Sequence, residues 1–382
     1  MICEKEKCAG CFACYNICPK NAIEMIEDEY GYIYPKVNRE KCIDCNLCKK
    51  VCPVLNEIKF NKVKKCYAAR VKDSKIYLST SSGGIASLVS EKIINENGIV
   101  YGASINEKNK IAHRRVNNLK DLELLKGSKY VHSYITGCYK NIKIDLLQGK
   151  EVLFIGTPCQ VQGLKKFLFK DYENLYTIDL ICHGVPSQKF LKDDLERYLK
   201  NNSHIKYITF RDKGKYCLKL KLDNKTIYKG SKEFGYYTMF LKGQNFRENC
   251  YSCSYARIER VGDITLGDFW GLDEVDFEHN KGVNCVLINT SKGEKIFDRI
   301  KEEIFFQEKD VELAIKENTQ LKSPVKKGNE RKEFLQEYLN KGYKKATFKV
   351  LGYKWYIKKI FHKVKRVCKY NVERNRNLKD GK

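Results

Sequence analysis

The chain has no run of about 18 consecutive apolar residues, so it offers no candidate membrane-spanning helix. It opens with charged residues at Met1 to Lys5, where a signal peptide needs an apolar segment, and we therefore expect a cytoplasmic protein. No two glycines are separated by one residue, which excludes the G-x-G-x-x-G dinucleotide fingerprint, and a Walker A loop is also absent. Eighteen cysteines in a reducing compartment are not expected to form a disulfide framework, so they indicate metal binding or catalysis.

The composition describes a folded chain with one strongly basic end. Of its 382 residues, 42% are hydrophobic and 12% aromatic, which is enough for the cores of two or three domains. The formal net charge is +26, and residues 341–382 hold twelve Lys and three Arg against Glu373 and Asp380, a local charge of +13. The rest of the chain is only mildly basic for its size. This distribution argues against a nucleic-acid-binding core and for a distinct basic tail.

The first segment repeats one cysteine pattern. The run C-x2-C-x2-C-x3-C-P occurs twice, 34 residues apart. This is the spacing of bacterial two-cluster ferredoxins, in which three cysteines of a run bind one cluster and the fourth binds the other. A pair of zinc sites is the alternative, but zinc motifs do not normally place the third and fourth cysteine at this spacing. Residues 1–60 therefore predict a domain with two 4Fe-4S clusters, one held by Cys8, Cys11, Cys14 and Cys52, the other by Cys42, Cys45, Cys48 and Cys18.

From about residue 61 the pattern predicts alternating strands and helices. This alternation is typical of an α/β domain with a largely parallel sheet, which we divide into residues 61–150 and 151–340. Residues 205–230 predict an antiparallel hairpin that turns at Asp223-Asn224, and residues 292–340 predict helices. Further strands are predicted at residues 65–71, 99–105, 152–155, 176–181 and 285–289.

Four more cysteines lie where chemistry is expected. Cys159 and Cys182 follow buried strands, and ligands in α/β sheets gather at the carboxyl ends of strands. Cys250 and Cys253 form a C-x2-C pair. Together they predict a third 4Fe-4S cluster, with a structural zinc ion or unconnected core thiols as alternatives. His183 beside Cys182 is interpreted as a core or supporting histidine rather than as part of a nucleophilic pair.

Because clusters carry single electrons, an enzyme that exchanges them with an organic substrate usually needs a two-electron cofactor, and a flavin would serve. A Ser/Gly turn before a helix offers N–H groups, hydroxyls and a positive helix end to its phosphates. Alone, such a turn is more often an ordinary helix start. The Gly127-Ser128-Lys129-Tyr130 segment, which adds a cation and an aromatic ring, by itself indicates an ordinary loop. The candidate flavin-binding residues are Ser81, Ser82, Gly83 and Gly84 in the turn, and Ser128, Lys129 and Tyr130 in the loop that Gly127 opens.

Over roughly residues 1 to 300 the motifs resemble the beta subunit of coenzyme F420 hydrogenase and dehydrogenase. They comprise the double ferredoxin run, Ser82-Gly83-Gly84, Gly127-Ser128-Lys129-Tyr130, Gly156-Thr157-Pro158-Cys159-Gln160, Cys182-His183-Gly184-Val185-Pro186, Phe210-Arg211-Asp212, Cys250-Tyr251-Ser252-Cys253, Gly262-Asp263-Ile264 and Gly267-Asp268-Phe269-Trp270-Gly271. The resemblance implies a protein in which FAD exchanges a hydride with the deazaflavin coenzyme and clusters relay single electrons. It implies that the third cysteine set lies beside the flavin. Asp263, Asp268 and Trp270 match the pattern, and we assign them a structural role in a tight loop.

The chain departs from the family in carrying its ferredoxin domain as a fusion. This architecture resembles bacterial members found among surface-polysaccharide biosynthesis genes, which leaves the substrate open. We expect an iron–sulfur flavin-dependent oxidoreductase whose partner is a redox protein or a hydride-carrying coenzyme. The alternatives are an electron-transfer subunit without a substrate of its own, and a membrane-docked scaffold whose clusters are structural.

The tail, residues 341–382, has the pattern of a basic amphipathic helix. Apolar residues recur at helical spacing between lysines and arginines, which favours either an anionic membrane surface or a partner protein, with packing on its own domain as the alternative. Nucleic acid is the least favoured partner. We therefore expect a cytoplasmic protein that can lie at the inner face of the membrane. The recurring apolar positions are Tyr353, Ile357, Ile360, Phe361, Val364, Val367 and Cys368.

Overall fold

A computed structural model describes residues 2–199, 203–212, 214–272 and 282–379, with side chains described up to residue 361. Its strands are β1 (Ile23–Glu27), β2 (Ile33–Val37), β3 (Lys65–Val71), β4 (Ile99–Ile105), β5 (Ile111–Val116), β6 (Val152–Ile155), β7 (Leu175–Leu180), β8 (Ile205–Asp212), β9 (Lys215–Leu222), β10 (Thr226–Gly230), β11 (Ile264–Asp268), β12 (Asn284–Ile288) and β13 (Ile304–Glu308). Its α-helices are α1 (Ala13–Ile17), α2 (Leu47–Lys50), α3 (Ser74–Ser79), α4 (Ile85–Asn95), α5 (Leu119–Leu122), α6 (Cys138–Leu147), α7 (Pro158–Leu168), α8 (Gln188–Leu195), α9 (Gly235–Leu241), α10 (Ser291–Asp298), α11 (Val311–Glu317) and α12 (Asn329–Lys379).

The N-terminal segment is a short antiparallel hairpin between two cysteine loops. β1 pairs with β2, and the carboxylate of Asp28 closes the turn by accepting the N–H groups of Tyr30 and Tyr32. Each cysteine loop enters its short helix through a residue with left-handed backbone, Phe12 (φ 64°) and Asn46 (φ 57°). These two residues hold the same position in the repeat, one residue after Cys11 and Cys45, so the sequence repeat is also a structural repeat.

The main sheet has eight strands in the order β13-β3-β12-β11-β7-β6-β4-β5. The four central strands β11, β7, β6 and β4 are parallel. The others pair antiparallel, so the prediction of a largely parallel sheet is correct only for the centre and the fold is mixed α/β. β5 returns beside β4 through a short turn, which only an antiparallel pair allows. Helices α6 and α7 cover one face of the sheet, and α4 and α10 cover the other.

Two predicted segments differ from the structure. The predicted hairpin at residues 205–230 is a three-stranded antiparallel sheet, because a second turn at Gly214 (φ 75°) splits its first half into β8 and β9. The predicted helical region at residues 292–340 contains strand β13, which pairs with β3 at the edge of the main sheet. A five-residue strand flanked by charged residues is too short to show a period of its own, and its conformation is set by the edge that it joins.

The chain ends in helix α12, which two glycines with left-handed backbone interrupt, Gly342 (φ 77°) and Gly352 (φ 72°). Packing on the α/β body continues beyond residue 341, since Tyr343 and Ala346 are buried. No helix in the described ranges combines the length and the apolar character needed to cross a membrane.

A buried ion pair ties β7 to the loop that follows the C-x2-C pair. Asp179 and Arg260 are 0% and 2% exposed, and Arg260 Nη2 donates to Asp179 Oδ1 at 3.1 Å. The same carboxylate accepts the N–H of Gly262 at 2.8 Å and the hydroxyl of Thr265 at 2.5 Å. A buried ion pair stabilises only where further hydrogen bonds complete its shell, as they do here. The pair therefore holds residues 260–265 against β7.

Replacing Asp179 with Asn is expected to lower the free energy of unfolding by about 3–5 kcal/mol, because it leaves Arg260 buried without an opposite charge. Asp171→Asn is the matched control: its ion pair with Lys292 lies at the surface and contributes about 0–1 kcal/mol. Unfolding in urea under anaerobic conditions, followed by circular dichroism, measures both losses. Equal small losses in the two variants would contradict the role of Asp179.

Candidate functional site

The two cysteine sets of the N-terminal segment surround two separate cavities. One, of about 470 Å³, is lined by Cys8, Cys11, Cys14 and Cys52. The other, of about 210 Å³, is lined by Cys18, Cys42, Cys45 and Cys48. Each cavity takes its fourth cysteine from the other run. Four thiols around an open space are a donor set that fits an iron–sulfur cube. Among the described residues, no group of three or more His, Cys, Asp or Glu side chains is arranged to hold a single metal ion.

The third set, Cys159, Cys182, Cys250 and Cys253, is brought together from three distant parts of the chain. Burial, followed by the charges of Cys159 and Cys253, raises the pKa of Cys182 to about 12. Burial, followed by the charges of Cys182 and Cys253, raises the pKa of Cys250 well above its usual value. Cys159 and Cys253 also pack against the same apolar cluster, together with Cys11 of the first set. Cys253 also lines the 470 Å³ cavity, so the third set borders the first.

The local fold explains how these cysteines meet. Cys159 is the second residue of α7, whose start is fixed by Pro158 and by a capping box between Thr157 and Gln160. Cys182 follows the carboxyl end of β7, which lies beside β6, the strand that leads into α7. Because both segments leave the same edge of the parallel sheet, their cysteines are placed side by side. The positive end of α7 favours the thiolate form of Cys159.

Helix α7 also touches the first cysteine loop. A Cβ on Gly163 would lie 3.1 Å from the Cys11 sulfur, so this glycine permits a close approach of helix and loop. Cys159 is four residues earlier and therefore on the same helix face. The hydroxyl of Tyr139 donates to the carbonyl oxygens of Cys11 at 2.9 Å and Gln160 at 2.7 Å, which joins loop and helix directly.

A larger cavity, of about 490 Å³, lies at the carboxyl ends of the central strands. Six of the seven candidate flavin residues line it: Ser81, Ser82, Gly84, Ser128, Lys129 and Tyr130. The seventh, Gly83, is turned into the sheet, where a Cβ would lie 2.4 Å from the carbonyl oxygen of Ala69. The turn and the loop are joined, since Ser128 N–H donates to Ser81 Oγ at 2.9 Å. The structure therefore brings the two predicted segments to one cavity.

The ammonium group of Lys129 is bound by the loop that precedes it. Its Nζ donates to the carbonyl oxygens of Leu125 at 2.8 Å and Lys126 at 2.6 Å, which follow the short helix α5. Burial lowers the pKa of Lys129 to about 7. Its role in the wall is therefore to fix the loop, and the cavity receives backbone and hydroxyl groups rather than a free cation.

The cavity wall contains polar residues that the sequence did not single out. His113 Nε2 donates to the carbonyl oxygen of Ile155 at 2.9 Å, and its Nδ1 therefore accepts from Ser133 Oγ at 2.9 Å. Burial lowers the pKa of His113 to about 4, so the imidazole is neutral at physiological pH. Single histidines on strands carry no local signal of such a position, and only the pairing of β5 beside β4 brings His113 to the cavity.

The motif residues around Asp268 have two different roles. Asp263 is buried and accepts the N–H and the hydroxyl of Thr177, so the structural assignment agrees with its contacts. Asp268 and Trp270 line the cavity instead. Asp268 forms an ion pair with Arg211, and the ring of Trp270 stacks on Tyr216 with their centres 6.2 Å apart. Since Trp270 is 40% exposed, this aromatic pair forms part of the cavity mouth.

Part of the set of apolar residues predicted at helical spacing in residues 341–382 is exposed. Tyr353, Ile357, Ile360 and Phe361 are 57–61% exposed in the last part of α12. Trp355 faces the body, with a ring atom 3.8 Å from the position of a Cβ on Gly235. The side chains of Val364, Val367 and Cys368 lie outside the described residues. The tail thus begins on its own domain and presents apolar side chains to solvent further on.

Comparisons with known proteins match two parts of the chain. Residues 2–60 match the family model of a 4Fe-4S dicluster domain. Residues 149–313 match the C terminus of the beta subunit of coenzyme F420 hydrogenase/dehydrogenase. The second match contains all four cysteines of the third set.

Two proteins and one solved structure illustrate this similarity. One of the subunits of the F(420)H(2) dehydrogenase of Methanosarcina mazei is 24% identical over 332 residues, 80% of this chain and 86% of that protein. The coenzyme F420-dependent sulfite reductase of Methanocaldococcus jannaschii is 24% identical over 369 residues, 90% of this chain but only 54% of that protein, so the chain spans about half its length. A chain in a solved structure of the F420-reducing NiFe hydrogenase complex of Methanosarcina barkeri is 20% identical, with a TM-score of 0.46 covering 68% of this chain and 91% of that one. Residues 149–313 are thus similar to the C-terminal part of coenzyme F420 hydrogenase/dehydrogenase beta subunits, and residues 2–60 match a 4Fe-4S dicluster domain.

Proposed function

We propose that this protein is an iron–sulfur flavoprotein oxidoreductase. Its two N-terminal cysteine sets and the third set each hold a 4Fe-4S cluster, and the 490 Å³ cavity holds FAD. When bound, FAD would exchange a hydride with a substrate and single electrons with the clusters, which is the conversion that a flavin supplies. Electrons run in either direction between the cavity and the surface of the ferredoxin domain.

One observation carries this proposal: the third cysteine set lies between the two larger cavities. On one side, Cys253 lines the same cavity as the first cysteine set. On the other side, Thr157 and His183 line the 490 Å³ cavity. The hydroxyl of Thr157 lies 3.1 Å from the sulfur of Cys159, and His183 directly follows Cys182. A cluster held by the third set would therefore adjoin both the first cluster and the flavin.

The position of the second cysteine set indicates where electrons would enter or leave the protein. Cys45 is exposed, whereas Cys8 and Cys52 of the first set are buried. The cavity of the second set is also lined by Lys20, Arg39 and Lys49. A single-electron partner would therefore meet the protein at the second set, through a basic surface that favours an acidic redox protein.

The protein chain itself prepares the cavity for a flavin. Ser81 and the start of α4 offer hydroxyl and N–H groups to phosphate, as anion sites at helix starts do, whereas the hydroxyl of Ser82 donates to the carbonyl oxygen of Val283. The Tyr216–Trp270 pair offers an aromatic face at the mouth. Burial lowers the pKa of His113 to about 4, so its imidazole is a neutral part of the wall at neutral pH.

The substrate class follows from the relatives only as a proposal. Their names refer to coenzyme F420, a hydride-carrying deazaflavin. We infer that the substrate of this protein is likewise a soluble hydride carrier or an organic molecule reduced by hydride. The link to surface-polysaccharide biosynthesis and the docking of residues 341–382 on an anionic membrane remain predictions from the sequence.

Iron content tests the third cluster. Protein purified without oxygen is expected to contain about twelve iron atoms per chain, and Cys182→Ala about eight, because one cubane of four irons is lost. Cys217→Ala is the matched control, since Cys217 is buried in β9 and lies in none of the three cysteine sets. It is expected to keep about twelve. About eight irons in the unmodified chain, or one zinc ion with eight irons, would contradict the third cluster.

Flavin content tests the cavity. The unmodified protein is expected to carry one FAD per chain, measured by absorbance and by release on denaturation. Ser87→Trp puts an indole into the cavity wall and is expected to weaken flavin binding by about ten- to a hundredfold, with iron content unchanged. Ser79→Trp, on the exposed side of α3, is the control and should bind flavin normally. Equal flavin content in the two variants would show that the flavin does not bind in this cavity.

A further inference from the structure

Arg247 is a buried arginine where the first and third cysteine sets meet. It is 1% exposed and precedes the 3-10 helix Glu248–Ser252, which carries Cys250. Its Nε donates to the carbonyl oxygen of Cys8 at 2.7 Å, and its guanidinium lies 4.2 Å from the centre of the Tyr34 ring. The side chain is therefore fixed between the ferredoxin domain and the α/β body.

The two terminal nitrogens of its guanidinium have no hydrogen-bond partner among the described residues. Nη1 and Nη2 are buried and make no hydrogen bond. The adjacent carboxylate, Glu248, pairs with Lys327 and Arg331 instead, and no Asp or Glu in the described part of the chain forms an ion pair with Arg247. A buried arginine without an anion is strongly unfavourable, and proteins pair or coordinate such charges. Arg247 therefore requires an anion that the residues described by the structure do not provide.

Arg247 lies between loops that carry cysteines of two sets. Its Nε contacts the carbonyl oxygen of Cys8 in the first set. Its own carbonyl oxygen accepts the N–H of Cys250 at 3.0 Å, and its N–H donates to the carbonyl oxygen of Val185 at 2.9 Å, in the segment that follows Cys182. Gly10, with φ of +60°, leaves the necessary room, since a Cβ there would lie 3.2 Å from the Arg247 Cζ. One cation thus faces a ligand candidate of the first set and one of the third.

We propose that Arg247 is a positioning residue that supplies one positive charge to both the first and the third cluster and so raises the reduction potential of each. This inference rests on the proposed function. The potential of an iron–sulfur cluster depends on its charge and on hydrogen bonds to its sulfurs. One-electron reduction adds one negative charge to a cluster, so a fixed cation with two free N–H groups favours the reduced state. Because the cation is shared, it shifts the two potentials in the same direction.

Redox titrations monitored by electron paramagnetic resonance test the proposal on the full-length protein. Arg247→Gln and Arg247→Met are two neutral variants, and the apolar chain of Met fills the space beside Tyr34 if Gln is poorly tolerated. Either is expected to lower the reduced-to-oxidised ratio of the first and third clusters at a fixed potential about tenfold, which corresponds to about 59 mV for one electron. Arg247→Lys keeps the charge, and its reduced-to-oxidised ratio at the same potential is expected to stay within about threefold of that of the unmodified protein.

Two controls separate a local effect of the Arg247 charge from a general shift in all cluster potentials. The second cluster, in the cavity lined by Cys42, is an internal reference whose potential should not move. Arg299→Gln removes the same charge at the other end of the strands, where Arg299 pairs with Glu151, and should leave all potentials unchanged. A purely structural role would affect the Lys and the neutral variants alike, because all of them lose the Nε bond to Cys8.

The outcomes of the experiment distinguish the inference from the function on which it rests. About eight irons in the unmodified chain would contradict the third cluster and with it the proposed function. About twelve irons in a neutral variant, with the potentials of the unmodified protein, would contradict the role of Arg247 alone. A shift of the first and third clusters that the Lys variant does not share supports it.

Discussion

The contact between the start of α7 and the first cysteine loop is the constraint on which the rest of the site depends. Tyr139 holds the two together through the carbonyl oxygens of Cys11 and Gln160, and Gly163 lets the Cys11 sulfur approach the helix. Without this contact, the third cysteine set would be a separate feature of the α/β body. With it, the ferredoxin domain, the third set and the 490 Å³ cavity form one continuous series.

The parallel centre of the sheet provides the other half of this arrangement. β6 and β7 end at the same edge, and their following segments carry Cys159 and Cys182. The C-x2-C pair comes from a segment far along the chain, and the loop after it returns to β7 through the bonds of Asp179 with Arg260 and Gly262. A buried polar cluster therefore fixes the loop that follows the third cysteine set, because its directional bonds position the loop more closely than apolar packing would.

The grouping of the N-terminal cysteines into two sets and the positions of the central strands could be predicted from the sequence, because their signals are local. A fixed ligand spacing or an apolar run followed by a turn needs no knowledge of distant residues. Strand β13, the position of His113 and the role of Arg247 depend on pairing between remote segments, which no local pattern encodes. The flavin candidates fall between these cases: the turn at Ser81 and the loop at Ser128 were recognisable, but Gly83 faces the sheet and Lys129 is used by the loop itself.

Burial of the cysteines opposes the deprotonation that iron binding requires. Loading with iron requires thiolates, yet burial raises the pKa of Cys159 and Cys182, so an apolar enclosure alone would resist metal binding. The third set therefore needs positive charge within its enclosure. In the described part of the chain, fixed sources of it include the amino end of α7 and the guanidinium groups of Arg247 and Arg260. The same sources remain after loading, when the enclosure holds anionic clusters. The groups that make the buried cysteines able to bind iron are thus also the groups that would stabilise the clusters in their reduced state.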